Sequence, residues 1–256
     1  MNDDKSTCAL STDGHIAHIE LRRPERLNAF TLSAIHNLSA LIDEIAQDQR
    51  LRLVTIRGAG RAFSTGVDLK TLPQDGFGSD RIQAWEKMLR EIETMDKLVI
   101  CQIHGFAVGG GLQLALACDI RVCTRAAQMG LPASKEGIIP GLATYRLARY
   151  VGLGRAKQLI YLGNLIDAER AEHIGLVDHL IDDATMTVEF NALVESYDAA
   201  FSTGGRHAKS LISEAFHTDF DVFLSAYEDA QSKAVDAPDF VEAQAAYRDG
   251  REPEWK

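Results

Sequence analysis

The first half of the chain alternates short segments of strand character with longer segments of helix character, and this alternation restricts the fold more than any other feature. Residues 15–21 alternate polar and apolar side chains, as a half-buried strand does, and residues 98–103 are almost entirely apolar, which is typical of a strand buried on both faces. Between them, Thr31 predicts the N-cap of a helix that runs to about residue 46, with its apolar residues on one face. The pattern predicts an α/β fold built on a βαβ core.

Beyond Pro140 the sequence becomes mostly helical. Residues 144–163 predict a long amphipathic helix, and residues 184–250 predict three or four further helices. No linker rich in proline, serine or glycine divides the chain, and the sequence contains no internal repeat. We therefore predict a core of residues 1–195 and a C-terminal helical region of residues 196–256, which can pack on that core or on a neighbouring subunit.

The composition excludes several classes of partner. With 27 Lys and Arg against 37 Asp and Glu, the formal charge is −10, which argues against binding to nucleic acid or to an anionic membrane surface. No stretch approaches the about 18 uninterrupted apolar residues of a membrane-spanning helix, and the polar start of the chain lacks the apolar segment of a signal peptide. We therefore expect a cytoplasmic protein with no nucleic-acid or membrane partner.

The cysteines lack the spacing of a metal site. None forms a Cys-x-x-Cys pair, and no histidine lies at metal-ligand spacing from them. We therefore expect no metal, and we expect all four to be reduced and packed as small apolar side chains: Cys8, Cys101, Cys118 and Cys123.

Two glycine-rich segments each follow a predicted strand. Gly66 lies in a tight turn of residues 61–69, and Gly109, Gly110 and Gly111 open a predicted helix. The first N–H groups of a helix have no partner within the helix, and its dipole favours negative charge there. Two such segments facing each other would form an oxyanion hole. Taken alone, each segment is equally explained by a tight turn or by close helix–strand packing.

Five segments resemble the signatures of the crotonase (enoyl-CoA hydratase/isomerase) superfamily in order and spacing, and together they cover essentially the whole chain. They are residues 21–30 (LRRPERLNAF), 62–70 (AFSTGVDLK), 99–122 (VICQIHGFAVGGGLQLALACDIRV), 136–152 (EGIIPGLATYRLARYVG) and 246–256 (AYRDGREPEWK). The resemblance implies a ββα spiral core followed by a C-terminal helical region through which the family forms trimers or dimers of trimers. We therefore expect residues 196–256 to be a trimerisation region.

The resemblance also implies a ligand, an acyl-CoA whose thioester carbonyl lies between two backbone N–H groups. By position in the motifs, these groups belong to Ser64 and Gly110. It further implies that the CoA moiety lies along Arg26, Ala29, Thr65, Gly66, Val67 and Asp68, although Arg26 is equally explained as a solvated charge at the end of a strand. The CoA portion of the substrate is then the only cofactor. The acyl pocket is expected to be lined largely by residues 73–78 and the helix that follows them.

The chain departs from the family at both positions of the catalytic glutamates. Family hydratases carry one glutamate three residues after the middle glycine and another directly after the proline of a later Gly-x-Pro motif. Two carboxylates with separated pKa values can deliver and remove the elements of water as acid and base. This chain has Gln113 and Ala133 at those positions, and neither side chain can exchange a proton at neutral pH.

Three residues are candidates for the missing acid–base function. Glu136 is either the replacement base or a surface or arginine-paired carboxylate, with Arg146 and Arg149 as the candidate partners. Gln113 either binds a polar group or a water, or fills the former glutamate space. His104 is either titratable in the site or a loop histidine that the backbone satisfies.

Several functions fit these observations. The first is an enzyme that stabilises a thioester enolate for isomerisation, decarboxylation, C–C cleavage or oxygenation. Residues 133–141 resemble the superfamily's cofactor-free dihydroxyphenylacetyl-CoA dioxygenase. The second is a conventional enoyl-CoA hydratase or isomerase whose acid and base lie elsewhere. The third is a non-catalytic subunit that binds acyl-CoA.

Overall fold

A computed structural model of the chain describes residues 7–72, 76 and 78–255, so part of the 73–78 loop expected to line the acyl pocket lies outside the described residues. The strands are β1 Cys8–Asp13, β2 Ile16–Leu21, β3 Leu53–Gly58, β4 Leu98–Ile103, β5 Phe106–Val108, β6 Ile120–Thr124, β7 Gln128–Gly130, β8 Ile166–Asp167 and β9 His179–Ile181. The helices are α1 Leu32–Gln47, α2 Ser79–Thr94, α3 Gly110–Ala117, α4 Ala143–Leu162, α5 Ala168–His173, α6 Met186–Ala200, α7 Thr203–Glu214, α8 Phe220–Asp236 and α9 Pro238–Asp249. Short 3₁₀ turns occur at Pro24–Arg26 and Pro132–Glu136.

Two sheets organise the core. The larger has the strand order β1-β2-β3-β4-β6-β9, and all its neighbouring strands are parallel except the antiparallel pair β1 and β2. The smaller has the order β5-β7-β8. The register pairs Arg57 of β3 with Gln102 of β4, so the chain leaves both strands at the same edge of the sheet. Both glycine-rich segments begin at that edge, which brings them together.

Helix α1 forms where the sequence predicts it. The Oγ1 atom of Thr31 accepts a hydrogen bond of 3.1 Å from the backbone nitrogen of Ala34, which satisfies one of the unpaired N–H groups of the first turn. One face of the helix is buried against the sheet through Ala34, Ile35, Leu38, Ile42 and Ile45. Helix α1 also contacts α2, which carries one wall of the site described below.

The C-terminal section contains four helices, α6 to α9, in agreement with the predicted three or four. The expected boundary at residue 195 falls inside α6, whose Phe190 and Val194 pack in a cluster with Leu53 and Leu98 of the sheet. Helix α6 is therefore part of the core, and the separate helical section starts after Ala200. There, the described helices α7 and α8 contain no buried residue.

All four cysteines are free and buried, as predicted. Burial raises the pKa of the Cys8 thiol to about 11 and that of Cys123 to about 12, so both stay protonated at neutral pH. Within the described residues, none of the helices combines the length and apolar character needed to cross a membrane.

Candidate active site

A mainly apolar cleft lies where the chain leaves β3 and β4. The cavity volume is about 130 Å³. Its walls come from the two glycine-rich segments, from α2, from the 3₁₀ turn Pro132–Glu136 and from the residues that follow this turn. The polar or small residues of these walls include Thr65, Glu86, Gly110, Gln113, Ala133, Glu136 and Gly141.

The two glycine-rich segments touch through their backbones. Gly66 has φ +86°, and a β-carbon built on it would lie 2.5 Å from the nitrogen of Gly110 and 2.7 Å from the carbonyl oxygen of Val108. A β-carbon on Gly111 would lie 2.1 Å from the carbonyl oxygen of Ser64. These distances are too short for any side chain, so glycine is required at both positions.

The contact leaves two neighbouring N–H groups without an acceptor. Val67 pairs with Phe30 in a parallel bridge whose hydrogen bonds use the carbonyl of Gly66 and the nitrogen of Asp68, so the Val67 N–H faces away from Phe30. Gly110 is the first residue of α3, and its N–H has no partner inside the helix. No described residue accepts a hydrogen bond from either nitrogen, and both residues line the cleft.

Ser64 does not occupy the position predicted for it. Its backbone nitrogen donates a hydrogen bond of 3.0 Å to the carbonyl of Phe106, so this N–H is not available to a ligand. Its Oγ atom donates to the carbonyl of Asn28 at 2.8 Å and accepts from the nitrogen of Gly66 at 3.1 Å. Ser64 is fully buried and supports the loop. The prediction of a Ser64 donor is therefore wrong, whereas the N–H of Val67, beside Gly110, has no acceptor among the described residues.

The segments predicted to run along CoA lie side by side. The nitrogen of Thr65 donates to the carbonyl of Leu27 at 3.0 Å, and the nitrogen of Phe30 donates to the carbonyl of Gly66 at 2.6 Å. Arg26, which precedes Leu27, is exposed, whereas Ala29 is buried.

Asp68 has a structural partner. Its carboxylate accepts hydrogen bonds from Nη2 of Arg23 and from the backbone nitrogen of Lys70, both at 3.1 Å. The Asp68 side chain is only 6% exposed, and it does not line the cleft, unlike Thr65 and Val67. The carboxylate therefore holds the loop in shape.

Both positions that lack a glutamate line the cleft. Gln113 lies in the first turn of α3 and is 8% exposed, and its Oε1 accepts a long hydrogen bond of 3.4 Å from Nε1 of Trp85. Ala133 lies in the 3₁₀ turn and is 6% exposed. The side chains that line the cleft at these two positions are thus an amide and a methyl group.

Glu136, the predicted replacement base, also lines the cleft. It is exposed at the end of the 3₁₀ turn, where Gly137 adopts φ +72°. Neither arginine considered as its partner contacts it. Arg146 pairs with Glu86 and Glu93, and Arg149 stacks on the ring of Tyr145. No residue in the described part of the chain forms an ion pair with Glu136.

A second carboxylate in the cleft, Glu86 on α2, was missed by sequence reasoning. Its Oε1 accepts from the nitrogen of Leu142 at 3.1 Å, and its Oε2 accepts from Nη1 of Arg146 at 2.7 Å. Burial opposes the charge of Arg146, but its bonds to Glu93 and Glu86 outweigh this effect and raise its pKa. The sequence did contain one indication that Glu86 lies in the cleft. Glu86 follows Ile82 by one helical turn, on the face of α2 that also carries Trp85.

His104 lies outside the cleft. Its Nε2 donates to the carbonyl of Gly60 at 3.0 Å, and burial lowers its pKa against the opposing effect of this bond. This contact supports the interpretation of a loop histidine satisfied by the backbone. Among residues 7–72, 76 and 78–255, no three His, Cys, Asp or Glu side chains are grouped so that they could hold a metal ion.

Comparison with known proteins gives the same family over nearly the whole chain. The enoyl-CoA hydratase/isomerase family model matches residues 11–256. YngF of Bacillus subtilis, which is named as an enoyl-CoA hydratase/isomerase, is 35% identical over 251 residues, covering 94% of this chain and 95% of YngF. The short-chain-enoyl-CoA hydratase of Clostridium acetobutylicum is 30% identical over 249 residues, covering 96% of this chain and 95% of that protein.

Solved structures agree at the level of the fold. The crystal structure of an enoyl-CoA hydratase from Bacillus anthracis superposes with a TM-score of 0.91 at 29% identity, and the match covers 98% of this chain and 99% of that one.

Proposed function

Since this chain belongs to the enoyl-CoA hydratase/isomerase family and has its crotonase-like α/β fold, we propose that it stabilises thioester enolates of acyl-CoA between the N–H groups of Val67 and Gly110. The observation that carries the proposal is the pair of free N–H groups in one cleft. A β-carbon on Gly110 would lie 3.7 Å from the carbonyl carbon of Gly66, the atom to which the Val67 nitrogen is bonded. The two donors are thus close enough to share one oxygen.

Removing a proton from the carbon next to a thioester moves an electron pair onto the thioester oxygen. Two N–H donors fixed in the backbone stabilise that oxyanion without reorganising, and the N-terminus of α3 adds the favourable end of a helix dipole. Apolar side chains around the donors lower the local dielectric constant and strengthen both interactions. The chemistry needs no cofactor beyond the CoA portion of the substrate.

Glu136 is the base in this proposal. Its carboxylate takes the α-proton and becomes a carboxylic acid, which then returns the proton to the same carbon, or to another carbon in an isomerisation. Its support is its place in the cleft and the absence of an ion-pair partner among the described residues. Gln113 and Ala133 cannot carry the proton, so proton exchange or isomerisation is favoured over hydration.

The CoA moiety runs along Arg26, Ala29, Thr65, Gly66 and Val67 in this proposal, with Asp68 shaping the loop from behind. The chain acts as a homotrimer or a dimer of trimers assembled through residues 196–256. The support is the set of exposed apolar side chains of α8 and of the turn before it, which include Phe216, Phe220, Val222 and Tyr227. Light scattering should give three or six times the chain mass of 28.1 kDa.

The test is α-proton exchange in D₂O, followed by mass spectrometry of butyryl-CoA and 3-butenoyl-CoA, both of which carry acidic protons on the carbon next to the thioester. We expect enzyme-dependent deuterium uptake, and a loss of about 100-fold or more in Glu136→Gln. The exposed Glu169→Gln on α5 is the matched control and should exchange normally. Binding without uptake would indicate a non-catalytic acyl-CoA subunit. Efficient addition of water to crotonyl-CoA would indicate a conventional hydratase with a relocated acid and base.

A further inference from the structure

Two polar side chains, Glu86 and Gln113, lie close together in the mainly apolar wall of the cleft. A β-carbon built on Gly141 would lie 2.6 Å from Oε1 of Gln113 and 3.2 Å from Oε1 of Glu86, so the two oxygens are separated by no more than the sum, about 6 Å. Gly141 has φ +51° and adds no side chain between them. One small group in the cleft can therefore reach both residues.

The hydrogen-bonding capacity of this pair is incomplete. Each oxygen of Glu86 accepts one hydrogen bond, from Leu142 or from Arg146, and a carboxylate oxygen can accept about two. Gln113 uses its Oε1 toward Trp85, and no described residue accepts a hydrogen bond from its Nε2. The pair thus offers an anionic acceptor and an amide donor.

The carboxylate of Glu86 is paired with a cation and held in one orientation. Its side chain is 15% exposed, and the guanidinium of Arg146, 4% exposed, compensates its charge. Its two oxygens are held by different donors, so its orientation is fixed before a ligand arrives. A fixed, charge-compensated carboxylate makes strong hydrogen bonds to neutral O–H donors.

The pair stands close to the position of the thioester. Gln113 follows Gly110 by three residues on α3, a rise of about 4.5 Å along the helix. Trp85 spans the same interval: its Cζ2 would lie 3.6 Å from a β-carbon on Gly110, and its Nε1 contacts Gln113. A group bound by Glu86 and Gln113 therefore belongs to the acyl chain rather than to CoA.

We propose that Glu86 and Gln113 bind a hydroxyl group of the acyl chain, so that the substrates are hydroxyacyl-CoA thioesters. The hydroxyl donates its proton to Glu86 and accepts a hydrogen bond from Nε2 of Gln113. An unsubstituted acyl group leaves the remaining hydrogen-bonding capacity of Glu86 and Gln113 unused, so it gains no binding energy from this pair. This inference rests on the proposed function, because it assumes that the thioester occupies the cleft beside Val67 and Gly110.

The test compares matched pairs of thioesters by isothermal titration calorimetry. The pairs are 3-hydroxybutyryl-CoA and 4-hydroxybutyryl-CoA against butyryl-CoA, and 4-hydroxyphenylacetyl-CoA against phenylacetyl-CoA. At least one hydroxylated member should bind about 10- to 100-fold more tightly than its unsubstituted partner, the gain expected from a hydrogen bond to a charged group. Gln113→Leu and Glu86→Gln should each reduce that ratio to near one, because each removes one of the two contacts made by the hydroxyl group.

Glu93→Gln is the control. Glu93 is 17% exposed and pairs with Arg146 as Glu86 does, but it does not line the cleft. This variant should keep the preference, which separates loss of the hydroxyl contact from disturbance of Arg146. Equal affinity within all pairs would overturn the inference and leave the proposed function standing. Failure of every thioester, unsubstituted ones included, to bind would overturn both.

Discussion

Gly66 lies so close to Gly110 that a β-carbon on the first residue would come within 2.5 Å of the amide nitrogen of the second. This nitrogen is one of the two donors proposed for the thioester oxygen. The fit between the two glycines therefore sets the geometry of the site, and changing it should affect catalysis more than it affects folding.

Gly66→Ala should abolish most of the α-proton exchange. The added methyl group must displace backbone atoms of Val108 and Gly110, and alanine is strained at φ +86°. We expect a loss of at least about 100-fold in exchange rate, the effect of losing one oxyanion donor, and of about 1–3 kcal/mol in stability. Gly14→Ala is the control: Gly14 has φ +56° with no atom within 4 Å of the added carbon. It should lose stability while exchange stays within a few-fold of wild type.

Ser64→Ala should be tolerated by the chemistry. The variant loses two buried side-chain hydrogen bonds, to Asn28 and from Gly66, and so should be destabilised by about 1–3 kcal/mol in chemical denaturation. Its exchange rate at a temperature where it is fully folded should stay within about fivefold of wild type, because the side chain does not face the cleft. Complete loss of exchange by a folded variant would mean that the Ser64 hydroxyl takes part in the chemistry.

The double variant Gln113→Glu, Ala133→Glu should gain hydration of crotonyl-CoA. Both positions line the cleft, and the resemblance places the family's two glutamates there. A pair of carboxylates can deliver and remove the elements of water, which an amide and a methyl group cannot. We expect at least about a tenfold gain in the absorbance assay for loss of the enoyl group, with smaller gains in the single variants. No gain in a folded double variant would mean that these positions do not flank the acyl group.

Cys8 should make folding stability depend on pH in the alkaline range. Burial raises its pKa from 9.0 to about 11, although its contact with Thr7 opposes the shift. Because the unfolded thiol ionises first, the stability due to Cys8 is fully present below about pH 9 and is lost as the pH rises toward 11. The difference in unfolding free energy between wild type and Cys8→Ala should shrink by about 2–3 kcal/mol across that interval. A constant difference would contradict the raised pKa.

Long, regular segments of the chain were predictable from sequence, whereas short strands were not. Helix α1 and strand β4 were predicted to within a residue or two, since each carries a full hydrophobic pattern over six or more residues. Strands β5, β7 and β8 have two or three residues each, too few to show a period. Their pairing joins residues far apart in sequence, such as Gln128 with Asp167, and a local pattern cannot indicate it.

The location of the site could be predicted from the sequence, but the atoms that form it could not. The two glycine-rich segments do meet, as their positions after predicted strands suggested. Which backbone nitrogen lacks an acceptor depends on hydrogen bonds that cannot be read from the spacing of residues in the sequence. The N–H of Ser64 donates to the carbonyl of Phe106 in β5, whereas the bridge between Val67 and Phe30 does not use the N–H of Val67. Glu86 was missed for a similar reason, because its place in the cleft depends on how Leu142 and Arg146 pack against α2.

The free donors at Val67 and Gly110 belong to the main chain, so no substitution other than one to proline removes the N–H group itself. A protein with this architecture can therefore change the side chains that carry protons one at a time while it keeps the two backbone donors that stabilise the thioester oxygen. The resemblance places Gln113 and Ala133 where other members of the family carry their two glutamates. New reactions can thus arise through substitutions of the side chains around the enolate, while the backbone donors that stabilise the enolate stay the same.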